Sequence, residues 1–151
     1  MKIYRTNFEL KYGGVLDLEE AQKYLSENDM TKWLLLYLAD DYTATYLDPN
    51  ILSKLKENVV SIEWILENEE KGYIELQAKR ELTTEELDII SGWVIGQNSD
   101  GLGEGFEQQE FAIHEDCWYN EDEDDYQIEY YSTGFYSSYV FDYKFYLIQA
   151  D

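Results

Sequence analysis

Val59-Val60-Ser61-Ile62-Glu63-Trp64-Ile65-Leu66 and Tyr73-Ile74-Glu75-Leu76-Gln77-Ala78-Lys79-Arg80-Glu81-Leu82 are two β-rich runs, separated by a polar stretch that includes Asn68-Glu69-Glu70-Lys71-Gly72. Val60, Ile62, Trp64 and Leu66 recur at every second position, as do Ile74, Leu76 and Ala78, so each run presents one apolar face. Two such runs joined by a turn predict an antiparallel β-hairpin with that face toward a core.

Outward from this hairpin, the neighbouring segments alternate between helical and strand patterns. Lys2–Leu10 carries Ile3, Tyr4, Phe8 and Leu10 and ends at Gly13-Gly14, which predicts a first strand. Asp17 is placed as an N-cap, with Glu20 at the reciprocal position, for a helix through about Ser26. The apolar run Trp33–Ala39 is either a buried helix or a central strand, and its periodicity does not decide between them. Asp48-Pro49 opens a further helix to about Glu57, with proline at its first position.

Beyond the hairpin, Thr83 or Thr84 caps a helix, with Glu86 set for a capping box on Thr83. Leu87, Ile90 and Val94 form its core stripe with Trp93 beside them, and it stops near Gly96. A loop from Asn98 to Gly105 and a strand around Phe106 to Ile113 follow. Tyr126–Tyr131 and Phe135–Ile148 read as β, with Tyr139, Phe141, Tyr143 and Phe145 alternating on one face. The sum is an α+β fold: a single compact domain over 1–151, mostly antiparallel sheet with two to four helices, and a C-terminal third that is acidic, aromatic-rich and β.

The charge is unevenly placed. The formal net charge is −22, and from Glu81 to Tyr143 there are 17 acids and no lysine or arginine. Such a field opposes binding to nucleic acid or anionic lipid and favours a basic protein as partner. At 44% hydrophobic and 17% aromatic, the chain is no solvating acidic tail. Cys117 is the one cysteine, which excludes an intramolecular disulfide and a thiolate zinc cluster. No apolar run reaches membrane-spanning or signal-peptide length, so the expected location is the bacterial cytoplasm.

The acids are densest between His114 and Tyr126. Glu115, Asp116, Glu121, Asp122, Glu123, Asp124 and Asp125 are interleaved with Trp118, Tyr119 and Tyr126, and Glu129 follows. On an extended chain, alternate carboxylates lie about 6.6–6.8 Å apart. Phosphates along a nucleic-acid strand rise about 3.4 Å each, a comparable charge density. This segment is therefore the expected partner-binding surface, with the aromatics stacking on arginine planes or filling base pockets. The competing reading is a solvated loop. Asn120, Asp122 and Asp124 have calcium-loop spacing, but Asp125 replaces the required glycine and Tyr131 the closing glutamate. A nucleophilic pair of His114 and Cys117 would need an orienting group and an oxyanion site, the surrounding carboxylates disfavour a thiolate, and a zinc site would have to be completed by carboxylates, so neither is expected. No catalytic residue, metal or cofactor is expected.

Leu82-Thr83-Thr84-Glu85-Glu86-Leu87 and Gly96-Gln97-Asn98-Ser99-Asp100-Gly101-Leu102-Gly103-Glu104-Gly105-Phe106-Glu107-Gln108 complete the motif inventory. The glycine-rich part follows a helix and has no lysine, so it is not a phosphate cradle. Its glycines are expected to supply positive φ where helix turns to strand. Together these stretches resemble a pattern in small uncharacterised proteins of Gram-positive bacteria and their mobile elements, over roughly residues 59–110. Leu102 departs from it, since an aromatic is expected there. The resemblance implies no activity and no catalytic residues; it implies a phage or mobile-element origin. Asn98, Asp100, Glu104 and Glu107 are the residues of a second candidate interaction loop.

Small, acidic, aromatic and without cofactor, the chain is similar in kind to phage anti-defence inhibitors such as anti-CRISPR and antirestriction proteins. The expected function is inhibition of a nucleic-acid-handling defence protein, a CRISPR effector or restriction nuclease, by nucleic-acid mimicry. The alternatives are an immunity protein against a basic toxin nuclease, or a regulatory interaction module that uses the glycine-rich loop.

Overall fold

The computed structural model describes residues 1–132, 134–136 and 143–149. Strand β1 (Lys2–Leu10) leads into a 3-10 turn, then helices α1 (Leu18–Glu27), α2 (Met30–Ala39) and α3 (Pro49–Asn58). The hairpin β2 (Val59–Leu66) and β3 (Lys71–Ala78) follows, then α4 (Thr84–Ser99) and the short α5 (Leu102–Glu107). Strands β4 (Ile113–Asn120), β5 (Asp125–Ser132), β6 (Phe135–Tyr136) and β7 (Tyr146–Gln149) complete the described elements. The fold is α+β and the sheet is antiparallel, as the hairpin and helix patterns predict.

Five strands form the main sheet in the order β2-β3-β1-β6, with β7 also pairing on β1. The expected hairpin pairs Ile62 with Leu76 and Trp64 with Ile74. Its turn is tied by Asn68 Oδ1, which accepts from the N–H groups of Glu70 and Lys71, each at 2.9 Å. The turn also anchors β1: Leu10 N–H donates to Glu70 C=O and Val15 N–H to Glu69 C=O, both at 2.9 Å. Gly14 has φ +119°, and a Cβ there would lie 2.2 Å from the Glu69 carbonyl oxygen, so two backbones meet where only glycine fits.

The register shifts between Val59 and Ser61. This irregularity puts Val59 in the core and leaves Val60 half-buried, the reverse of strict alternation. Tyr4, Ile62, Trp64, Ile74 and Leu76 line the inner face, against Leu34, Leu55, Ile90 and Val94 from the helices.

Trp33–Ala39 is helix. Asp29 caps it, its Oδ1 accepting from Lys32 N–H at 3.1 Å, and Met30, Leu34 and Leu38 are buried at four-residue intervals. The helices capped by Asp17 and Asp48 stand as expected, each cap accepting a first-turn backbone N–H.

Three expectations are corrected. The helix begun at Thr84 runs through Gly96 to Ser99, and Phe106 lies in helix α5, not in a strand; the strand begins only at Ile113. Phe106 is fully buried, with ring centroids 4.7 Å from Phe135 and 5.1 Å from Phe111, and this anchoring turns the segment inward. Of the stripe Tyr139/Phe141/Tyr143/Phe145, Tyr139 and Phe141 lie outside the described residues. Phe145 is buried, while Tyr143 is outside any strand, with φ +52° and its carbonyl accepting from Ser91 Oγ at 2.8 Å.

Candidate functional site: an acidic hairpin tip

β4 and β5 pair with each other as a separate two-stranded sheet, register Tyr119 with Tyr126 and Asn120 with Asp125. The His114–Tyr126 segment is therefore folded back on itself. Glu121, Asp122, Glu123 and Asp124 form its four-residue turn, so these acids occupy a compact tip and not an extended track. Asp124 carries φ +51°, a conformation aspartate adopts more readily than most residues. The expected strand-like spacing of carboxylates is replaced here by a knob of charge.

All of Glu121 to Tyr126 is exposed. Tyr119 and Tyr126 are 47% and 68% exposed and stand across the ladder as an edge-to-face pair, with ring centroids 5.4 Å apart. Tyr119 Oη donates to Asp124 Oδ1, which ties the last turn residue to the strand. That carboxylate raises the Tyr119 pKa, because a phenolate would face it as a like charge. Asp125 Oδ1 accepts from Tyr126 N–H at 2.8 Å. Five consecutive acids and two wet aromatic rings thus share one end of the hairpin.

The other candidate residues sit lower on the ladder. Asp116 is opposite Glu129, Glu115 opposite Tyr130 and Trp118 opposite Gln127. Alternation assigns position 115 to one face of the ladder and positions 116 and 129 to the other. Positions 114 and 117 are three apart on β4 and so fall on opposite faces of the strand. Among the described residues no group of three or more His, Cys, Asp or Glu could hold a metal ion.

The second candidate loop divides. Asn98 is 5% exposed and its Oδ1 accepts from the Trp64 indole N–H at 2.7 Å, so it ties α4 to β2 inside the core. Glu107 is half-buried against Gly134, where an added Cβ would lie 1.9 Å from its Oε1. Asp100 and Glu104 are exposed. The glycines are there for close approach: Gly103 has no positive φ, but its Cβ would fall 1.9 Å from the Asn98 carbonyl oxygen. This stretch builds the α4–α5 junction, with Asn98 and Glu107 turned to structural use.

One surface had a signal that sequence reading passed over. α2 is apolar nearly all round, and its outer side leaves Trp33 and Leu36 exposed, with Tyr42 and Tyr46 nearby in sequence. Tyr37 Oη lies 3.3 Å from Tyr46 Oη, and burial first, then that neighbour, pushes the Tyr37 pKa well above the ordinary phenol value. No described helix is long and apolar enough to cross a membrane. No family model, no curated protein and no solved structure matches the chain.

Proposed function

We propose that this chain is an acidic inhibitor whose hairpin tip occupies the nucleic-acid groove of a basic protein and excludes its substrate. The observation that carries this reading is the tip itself, with Glu121–Asp125 exposed beside the Tyr119/Tyr126 pair. Four carboxylates in a tight turn, with Asp125 beside them, offer acceptor oxygens to lysine and arginine as phosphates do, and the two rings offer faces to guanidinium groups. A knob of this shape enters a groove end-on, so the mimicry is of a local phosphate cluster and not of a strand laid along its track. Opposite charges steer the encounter, which makes association fast and steeply salt-dependent.

The partner proposed is a defence nuclease of a bacterial host, a CRISPR effector or restriction enzyme, and the chain a phage or mobile-element product acting in that cytoplasm. The base-free stretch and the resemblance of residues 59–110 to mobile-element proteins support this choice. The chain itself is proposed to have no enzymatic activity. The test is nuclease inhibition by the wild type and by a variant with lysine at positions 121–125. Inhibition lost with the fold intact by circular dichroism supports the reading, and retained inhibition refutes it.

A further inference from the structure

The corner between α1 and α2 lies beside β2 and leaves a cavity of about 560 Å³ against that strand, within the roughly 300–1,000 Å³ typical of ligand pockets. β2 ends the sheet, so every second residue turns its backbone N–H and C=O away from β3. Two sets of contacts identify which residues these are. Ile62 N–H donates to Thr31 Oγ1 at 3.0 Å, and the same hydroxyl donates back to Ile62 C=O at 3.3 Å. Gln22 Nε2 donates to Leu66 C=O at 3.0 Å. Conversely, a Cβ on Gly72 would lie 2.2 Å from the Ile65 carbonyl oxygen, which therefore faces β3.

Trp64 stands between Ile62 and Leu66, so its N–H and C=O face the cavity that it helps to line. No hydrogen bond from another described residue takes this pair. A backbone donor and acceptor that face a cavity at a sheet edge are available to an occupant that brings one of each. The lining also selects a charge: Glu27, Asp29 and Glu63 contribute, and no lysine or arginine does. The C-terminal end of α1, at Glu27, adds the negative end of its dipole.

We propose that this cavity binds an extended peptide segment bearing lysine or arginine, one residue of which exchanges two backbone hydrogen bonds with Trp64. Main-chain pairing at a sheet edge supplies affinity, and the acidic lining supplies selectivity. Thr31 and Gln22 already occupy Ile62 and Leu66 C=O, so they limit the paired stretch to the residue at Trp64 and its immediate neighbours. The site belongs to the α1–α2–β2 region and does not rest on the role of the acidic hairpin.

The test uses the full chain and a short capped peptide of alternating lysine and valine. Its comparisons are a glutamate–valine peptide of equal length and the lysine–valine peptide with N-methylated backbone amides. Hydrogen exchange at the Trp64 amide is read by NMR. The lysine–valine peptide alone is expected to slow that exchange by about tenfold or more. Glu27→Lys combined with Glu63→Lys, both at exposed positions, is expected to weaken its binding by about tenfold or more with the fold unchanged. Unchanged Trp64 exchange, equal effects of the three peptides, or unweakened binding by the double variant would overturn the proposal.

Discussion

Glu86 is a carboxylate only 3% exposed, so its partners decide whether its burial is tolerable. Arg80 meets it with two nitrogens, at 2.9 and 2.8 Å, and Thr83 N–H donates to it at 2.9 Å while Thr83 Oγ1 accepts from Glu86 N–H at 3.2 Å. The Arg80 hydrogen bonds above all hold the Glu86 pKa below the ordinary glutamate value, against the opposing effect of burial. A depressed folded pKa means the unfolded state binds the proton more readily. The contribution is therefore present above the unfolded pKa and lost as pH falls through the folded one. Glu86→Gln should cost about 1.5–3 kcal/mol at neutral pH in urea unfolding, and the gap to wild type should close as pH falls below about 4. A gap that stays constant with pH would contradict this. The capping box was legible because its residues lie within one helical turn. The Arg80 fork was not, since no spacing rule announces it.

At the scale of elements, strands, caps and most helices follow from local pattern, and the misreadings occur where long-range contacts override it. Glycine spacing at 101, 103 and 105 suggested a loop, but burial of Phe106 against Phe135 and Phe111 makes that segment a helix. Asn98 looked like a loop ligand because its partner, Trp64, is 34 residues away. Asn98→Ala leaves the indole N–H without an acceptor in the core and should cost about 1–3 kcal/mol. Gly103→Ala must push the Asn98 carbonyl aside and should cost about 1–3 kcal/mol. Gly92, in α4 with nothing within 4 Å of an added Cβ, is the counterpart: Gly92→Ala should stabilise by about 0.5–1 kcal/mol. Urea midpoints of the three variants check the set, and a stabilised Gly103→Ala would refute the described junction.

For the whole molecule, the formal charge of −22 was plain from the sequence, and so was its crowding between Glu81 and Tyr143. How those acids are used was not, apart from Glu86 in its capping box. Glu86 is structural, Glu107 packs against Gly134, and Glu121–Asp125 gather at one exposed tip, because the segment closes into a hairpin instead of running extended. Raising salt from about 0.01 to 0.15 M shortens the screening length from ~30 to ~8 Å. Relief of self-repulsion should then raise the melting temperature, by about 2–4 °C for each 1 kcal/mol recovered. A melting temperature that falls would show that attractive pairs, not repulsion, dominate the surface.

The proposed inhibition requires that the tip and nucleic acid compete for one groove. The direct measurement is competition on the basic partner protein: displacement of its labelled nucleic acid by the wild-type chain and by a variant carrying glutamine or asparagine at residues 121–125. Binding of the wild type and of nucleic acid should be mutually exclusive, and the neutralised tip should displace at least about tenfold more weakly, with a shallower salt dependence. A stable complex of chain, partner and nucleic acid together, or equal displacement by the neutralised variant, would contradict it.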